Sequence, residues 1–267
     1  MLEDKNPNWL LPMLATFRRR PSLYLRAENM DALMRFIFGY KWARADLGLC
    51  QESASDKECL DQFGEWLNRR AADPENDTPW WMYQIYSLDP SEKNVHTFFK
   101  LFEEFLQTKG HSLDAVEPWI PQAQRRFMSA DACVEKDMER HVPEDKTPNW
   151  LLPMHATIRT KPGIYIGAET TRALNLFRYG YEEARDDLGI CGMSVSDKEW
   201  LAKFGEWLAL RAPDSDRDEA EWSLQIYRLD SSEKNIHTFF KLFEEFLQTK
   251  GQSLDAVEHW VPTFPSD

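Results

Sequence analysis

The chain has 267 residues, 45 acidic against 32 basic, for a formal net charge of -13 at pH 7. So acidic a surface repels phosphate backbones, which argues against nucleic-acid binding, while 42% hydrophobic and 13% aromatic residues set the chain apart from disordered sequences. No uncharged apolar run approaches the roughly 18 residues of a membrane span, and Met1-Leu2-Glu3-Asp4-Lys5 lacks the basic-then-apolar order of a secretory signal, so a cytoplasmic protein is expected.

The sequence repeats with an offset of 141. Asn8-Trp9-Leu10-Leu11-Pro12-Met13 returns as Asn149-Trp150-Leu151-Leu152-Pro153-Met154, and His96-Thr97-Phe98-Phe99 returns as His237-Thr238-Phe239-Phe240. The offset holds without a gap from Glu3 to Pro121, and roughly two-thirds of the aligned positions are identical. Solenoid repeats have periods of about 20–50 residues; this unit is the size of a whole domain. The expectation is an all-α chain of two tandem copies of one helical domain, residues 1–121 and 144–267, joined by a helical connector over 122–143. The first copy carries 14 basic and 19 acidic residues up to Pro121. The second carries 14 and 22 from Glu144 onward, and the connector four of each. The negative charge therefore belongs to the repeats.

Within one copy, Asn8 or Leu11 is expected to cap a first helix, with Pro12 tolerated in its first turn and Pro21 ending it. Residues 20–25 read as an extended connector or turn. A second helix runs from about Met30 to Leu47, with Leu33, Phe36, Ile37, Tyr40 and Ala43 on one stripe and Gly48 just beyond its end. Ser55-Asp56-Lys57-Glu58 has the form of a capping box that opens a third helix to about Arg70. It recurs as Ser196-Asp197-Lys198-Glu199. Residues 81–88, and 222–229 likewise, are ambiguous between a short helix and a strand. Ser91 is expected to cap the clearest helix, with Val95, Phe98, Phe99, Phe102, Phe105 and Leu106 at helical spacing and Gly110 at its end. Residues 112–119 read as one more short helix. Four to six helices per copy, with hardly any hairpin signal, give the all-α class.

Chemistry-bearing patterns are sparse. Of the four cysteines only Cys50 and Cys191 match across the copies, whereas a disulfide framework inside a duplicated domain would itself be duplicated. Reduced thiols are expected, and no zinc spacing occurs. His96 and His237 match and stand four residues after Glu92 and Glu233, but no third ligand is recognisable, so no metal and no cofactor is expected. Glu103-Glu104 and Glu244-Glu245 are assigned to a solvated helix face. No nucleophile elbow, phosphate loop or metalloprotease motif is found, so no catalytic residue is assigned. An unfamiliar helical enzyme would instead need polar residues common to both copies, such as Glu65, Gln84, Tyr86 and Asp89, to line one pocket. Trp9, Trp66, Trp81 and Trp119 recur at +141 and are assigned to the core. Trp42 lies near the exposed flank of the second helix, with burial the favoured expectation.

The copies diverge most just before Trp81 and Trp222. Loops on a rigid scaffold often carry recognition, so the candidate partner-binding residues are Asp73, Glu75, Asp77 and Trp80 in the first copy. In the second copy they are Asp214, Asp216, Asp218, Glu219 and Glu221.

Three segments carry a resemblance. They are Arg20-Pro21-Ser22-Leu23-Tyr24-Leu25 with Lys161-Pro162-Gly163-Ile164-Tyr165-Ile166-Gly167, Phe36-Ile37-Phe38-Gly39-Tyr40 with Phe177-Arg178-Tyr179-Gly180-Tyr181, and the late aromatic helix. In this order they resemble the small α-helical immunity proteins encoded beside bacterial polymorphic toxins. Gly167 fits that pattern and Arg26, at the same position of the first copy, departs from it. The resemblance implies a binder, not an enzyme. It would neutralise a cognate toxin acting in the cytoplasm (a nuclease, deaminase or ADP-ribosyltransferase) by occluding its active or substrate-binding site. An acidic binder suits a toxin with a basic surface. The alternative is an adaptor or scaffold that bridges two protein partners through its similar domains. A monomer is expected, with pseudo-two-fold pairing of its repeats left open.

Overall fold

The computed structural model describes residues 8–49, 52–70, 81–120, 149–190, 192–211 and 222–258. Residues 122–143, expected to form a helical connector, lie outside them, as do Cys50, Cys133 and Cys191. Among the described residues the protein is all-helical, with twelve α-helices and no strand. None of these helices is long and apolar enough to cross a membrane.

Six helices belong to the first repeat: α1 (Leu10–Arg19), α2 (Pro21–Leu25), α3 (Met30–Asp46), α4 (Ala54–Arg70), α5 (Trp81–Leu88) and α6 (Asn94–Thr108). The second has the same order: α7 (Leu151–Thr160), α8 (Pro162–Ile166), α9 (Thr171–Asp187), α10 (Val195–Ala209), α11 (Trp222–Leu229) and α12 (Asn235–Gln248). A single 3₁₀ turn follows in each, at Leu113–Ala115 and Leu254–Ala256.

Several boundaries depart from the sequence reading. Pro21 does end α1, but it also occupies the first position of α2, where its missing N–H would have had no partner and its fixed φ suits the helix. The expected turn at 20–25 is thus a short helix. The caps of α4 and α10 lie two residues earlier than expected. Ser53 Oγ accepts from the Asp56 N–H, and Ser194 Oγ from the Asp197 N–H, both at 3.0 Å. The Asp carboxylates reach instead to the start of the first helix of each repeat: Asp56 accepts from the Leu10 N–H (3.5 Å) and Asp197 from the Trp150 N–H (3.1 Å). One carboxylate per repeat therefore ties two helix N-termini together, satisfying orphan donors. Residues 112–119 give only the 3₁₀ turn. Trp119 beyond it is buried, with its N–H on the Pro12 carbonyl (3.1 Å) and its carbonyl accepting from Thr16 Oγ1 (2.5 Å).

α6 and α12 carry the core of each repeat. Phe98, Phe102 and Phe105 are buried and meet Phe63 of α4 at ring-centroid distances of 5.0–5.9 Å. Phe239, Phe243 and Phe246 meet Phe204 in the same way. Asn94 and Asn235 fix the helix starts: their side-chain carbonyls accept from the Met30 and Thr171 N–H groups, each at 2.8 Å.

The repeats meet along α3 and α9, the most extensive helix contact among the described residues. Gly39 and Gly180 set its closeness. A Cβ on Gly39 would lie 1.8 Å from the Phe177 carbonyl oxygen, and one on Gly180 would lie 2.0 Å from that of Phe36. Only glycine admits backbone so near. Tyr40 donates to Asp187 Oδ2 (2.8 Å) and Tyr181 donates to Asp46. Each of these contacts has its mate 141 residues away, the reciprocity of an isologous interface in which residue i meets j and j meets i. Burial, then the nearby Asp187 carboxylate, pushes the Tyr40 hydroxyl far above its ordinary range. Burial and Asp46 do the same to Tyr181. Both phenols stay protonated and both donate.

Trp42, near the flank of α3 and expected to be buried, packs into this seam against Tyr165 (5.8 Å) and Phe177 (5.7 Å) of the second repeat. The flank is exposed only with respect to its own copy. Arg26, at φ 50, holds the left-handed conformation that Gly167 (φ 68) supplies in the other repeat. Its guanidinium donates to the Tyr179 hydroxyl at 2.8 Å and lies over that ring at 5.0 Å, contacts that offset the strain.

Candidate functional site

The loop residues singled out for partner binding (Asp73, Glu75, Asp77, Trp80, Asp214, Asp216, Asp218, Glu219 and Glu221) lie outside the described residues. The helices that directly follow them, α5 and α11, are described. Trp81, Gln84 and Ile85 turn inward: Trp81 stacks on Phe98 at 5.2 Å, and Gln84 and Ile85 are buried. This 3.6-residue period settles the ambiguity in favour of helix. Its other face is open to solvent and carries apolar side chains: Tyr83 is 60% exposed, and in the second repeat Leu224 and Tyr227 (58%) are exposed, beside Ser87 and Arg228. Leu88 and Leu229, also exposed, lie at the helix ends in the phase of the inward residues. Such surface at matching places of two repeats is not needed to close either core, and exposed apolar patches mark interaction sites.

Both helices end in the same anchor. Asp89 accepts from the Ser91 N–H (3.0 Å) and from Thr97 Oγ1 (2.5 Å), and Asp230 does the same with Ser232 and Thr238. The Ser91 and Thr97 hydroxyls hold the Asp89 carboxyl below its usual range, and Thr238 and Ser232 do so for Asp230. The faces differ in one respect. Tyr86 of α5 donates to Asp31 and is half-buried. The second repeat has Arg172 in place of Asp31, and the equivalent Tyr227 stands free of that anchor, exposed.

The four residues weighed as an enzyme pocket serve separate structural tasks. Glu65 is exposed on α4, Gln84 donates to Asn68, Tyr86 donates to Asp31, and Asp89 closes a turn. His96 Nε2 lies 3.4 Å from Glu28, and His237 Nε2 lies 3.6 Å from Glu169. Among the described residues no three His, Cys, Asp or Glu side chains are grouped as metal ligands. Cys59 is half-buried, and burial raises its thiol to about 11, far from the thiolate needed for reactivity.

The first member of each acid pair is drawn off the solvated face, while Glu104 and Glu245 stay on it, paired with Arg70 and Arg211. Glu103 accepts from Arg18 (2.6 Å), Ser112 Oγ (2.6 Å) and the Leu113 N–H (3.1 Å), joining α6 to α1 and the 3₁₀ turn. Burial pushes its carboxyl up, but these hydrogen bonds and Arg18 more than offset that and leave it below its ordinary value. Glu244 repeats the arrangement with Ser253 (2.6 Å) and the Leu254 N–H (2.9 Å).

Sequence reasoning missed a polar cluster inside the second repeat. His155, Asn175, Arg178 and Glu182 occupy the positions of Leu14, Met34, Ile37 and Lys41. His155 is fully buried among Phe239, Phe240 and Phe243, and neither ring nitrogen has a hydrogen-bond partner. Burial, reinforced by the Arg178 charge, lowers it to about 3. Arg178 lies 3.3 Å from Glu182 and over the Trp222 ring at 5.9 Å. Burial raises the Glu182 carboxyl despite that arginine. The signal is present in the sequence as apolar-to-polar differences between the copies at core positions.

Comparison with protein-family models, with curated proteins and with solved structures returned no match.

Proposed function

We propose that this chain is a non-enzymatic binder that neutralises a cognate protein toxin in the cytoplasm by covering its active or substrate-binding site. In this reading the repeats are two copies of one helical domain, paired about a pseudo-two-fold axis through α3 and α9. The observation that carries it is the exposed apolar side chains Tyr83 on α5 and Leu224 and Tyr227 on α11, helices that follow an acidic, divergent stretch of the sequence. Exposed apolar and aromatic anchors are a feature of binding hot spots. The net charge of -13 favours a basic partner, whose encounter it accelerates. The resemblance in the Arg20–Leu25, Phe36–Tyr40 and late aromatic segments points the same way.

The test is co-expression with the product of the adjacent gene. A stable complex and relief of that product's toxicity are expected; neither complex nor protection refutes the proposal.

The divergence between the two faces favours one other reading, an adaptor that holds a different partner on each. Tyr83 faces outward where the second repeat has Leu224, and Tyr86 is anchored where Tyr227 is not. Two partners bound at once, each lost on mutating a different face, would establish the adaptor instead.

A further inference from the structure

A cavity of about 310 Å³ opens in the first repeat between α1, α3, α4, α5 and α6. Leu14 and Phe98, both buried, line it together with Met34, Ile37, Phe38 and Trp81. Its charged lining residues are Lys41, Glu52, Lys57 and Asp61, with Lys41 paired to Glu52. Two positive and two negative groups leave no net charge at the rim. A carboxylate or an ammonium gains nothing there over a neutral group.

Apolar cavities of about 150 Å³ stay dry and take up benzene. This one is about twice that size, at the lower end of the range of ligand pockets, roughly 300–1,000 Å³. Three aromatic side chains (Phe38, Trp81 and Phe98) give edges and faces for ring packing. The same positions in the second repeat hold the polar cluster. Leu14, Met34, Ile37 and Lys41 become His155, Asn175, Arg178 and Glu182, and Glu52 becomes Met193, which is buried. The Arg178 guanidinium brings a charge where the first repeat presents Ile37.

We propose that the first repeat holds a binding site for a neutral, flat, apolar small molecule of about two fused rings, and that the substitutions at these positions remove the site from the second repeat. The site lies beneath Trp81 and Met82 at the start of α5, so its occupant would brace the helix whose outer face carries the proposed partner surface. It does not depend on that partner.

Indole is the probe, titrated into the purified full-length chain by calorimetry and followed by NMR. One site per chain is expected, with a dissociation constant below about 1 mM and intermolecular NOEs to the methyl groups of Leu14 and Ile37. Indole-3-carboxylate and tryptamine should each bind at least tenfold more weakly. Met34→Trp, which fills the cavity without burying charge, and Ile37→Arg, which copies the second repeat, should each weaken indole at least tenfold, with folding checked by thermal melts. No binding at 5 mM indole overturns the proposal, as does binding that Met34→Trp leaves unchanged or NOEs that arise elsewhere. If indole fails to bind yet Met34→Trp weakens a partner complex, the cavity takes a protein side chain and the small-molecule proposal is wrong.

Discussion

Replacing Gly39 by alanine adds one methyl group at the crossing of α3 and α9. Two opposing effects follow. Alanine is favoured over glycine within a helix by about 1 kcal/mol. Against this, the new Cβ would lie 1.8 Å from the Phe177 carbonyl oxygen and 3.0 Å from the Tyr181 nitrogen. Both are backbone atoms of a packed helix, so no side-chain rotation relieves the clash. The helices must separate by more than 1 Å, loosening Trp42 against Phe177 and stretching the bond from Tyr40 to Asp187. Overpacking of this kind costs about 1–3 kcal/mol, occasionally more, and an unrelievable backbone contact belongs at the upper end. A net loss of about 2 kcal/mol is expected, or roughly 4–8 °C in Tm for a chain of this size. Urea denaturation monitored by circular dichroism measures it. Gly163→Ala is the control, because nothing lies within 4 Å of its added Cβ; it should be neutral or slightly stabilising. Gly180→Ala should cost as much as Gly39→Ala, and the double variant less than the sum, since the first substitution already parts the seam. A neutral or stabilised Gly39→Ala would refute the close α3–α9 crossing.

Other expectations follow from the same geometry. His155→Leu should raise stability by about 2 kcal/mol at pH 7, because it removes two unpaired buried nitrogens and Leu14 occupies the same place in the first repeat; an unchanged Tm would contradict this. His155 also makes the protein acid-sensitive. It stays neutral in the folded state down to about 3, whereas the unfolded chain takes up a proton below about pH 6.5, so stability is full above 6.5 and falls as the pH drops toward 3. About 2 kcal/mol should be lost by pH 5, and urea titrations at pH 7.5 and 5 should show that loss cut sharply in His155→Leu. Tyr40→Phe and Tyr181→Phe should cost about 1–3 kcal/mol each and by similar amounts, since each removes one of two equivalent hydrogen bonds to a carboxylate; a large asymmetry would contradict the reciprocity of the seam. Phe102→Ala and Phe243→Ala should each cost about 3–5 kcal/mol, and a near-neutral result at either would show that the helix faces elsewhere.

Much of the helical framework could be read from the sequence because the duplication supplies two versions of each signal. The stripe Leu33, Phe36, Ile37, Tyr40, Ala43 and the phenylalanines of α6 are buried as their spacing requires. The reading failed where a residue's partner lies far along the chain. The rings that cover Trp42, Tyr165 and Phe177, lie in the other repeat and could not be named from its own copy, and the carboxylate of Asp56 looks like part of a local box until Leu10 is brought within reach. It failed again where one residue type has two uses. Pro21 ends one helix and begins the next, and both Ser53 and Ser55 have the chemistry of a cap. The proposed interaction face was only half legible. The divergent stretches are visible in the sequence, yet the exposed side chains belong to the short helices after them, whose period is too brief to separate from a strand. The polar cluster at His155 required comparing core positions for differences instead of likeness.

The dissociation constant of the complex with the adjacent gene's product tests the binding account most directly, measured for the wild type and for Tyr83→Asp and Leu224→Asp. Both side chains are exposed and outside the core, so the variants should melt like the wild type. At least one should weaken the complex tenfold or more and abolish protection from the toxin. Wild-type affinity and full protection in both variants, or in the double variant, would contradict the account.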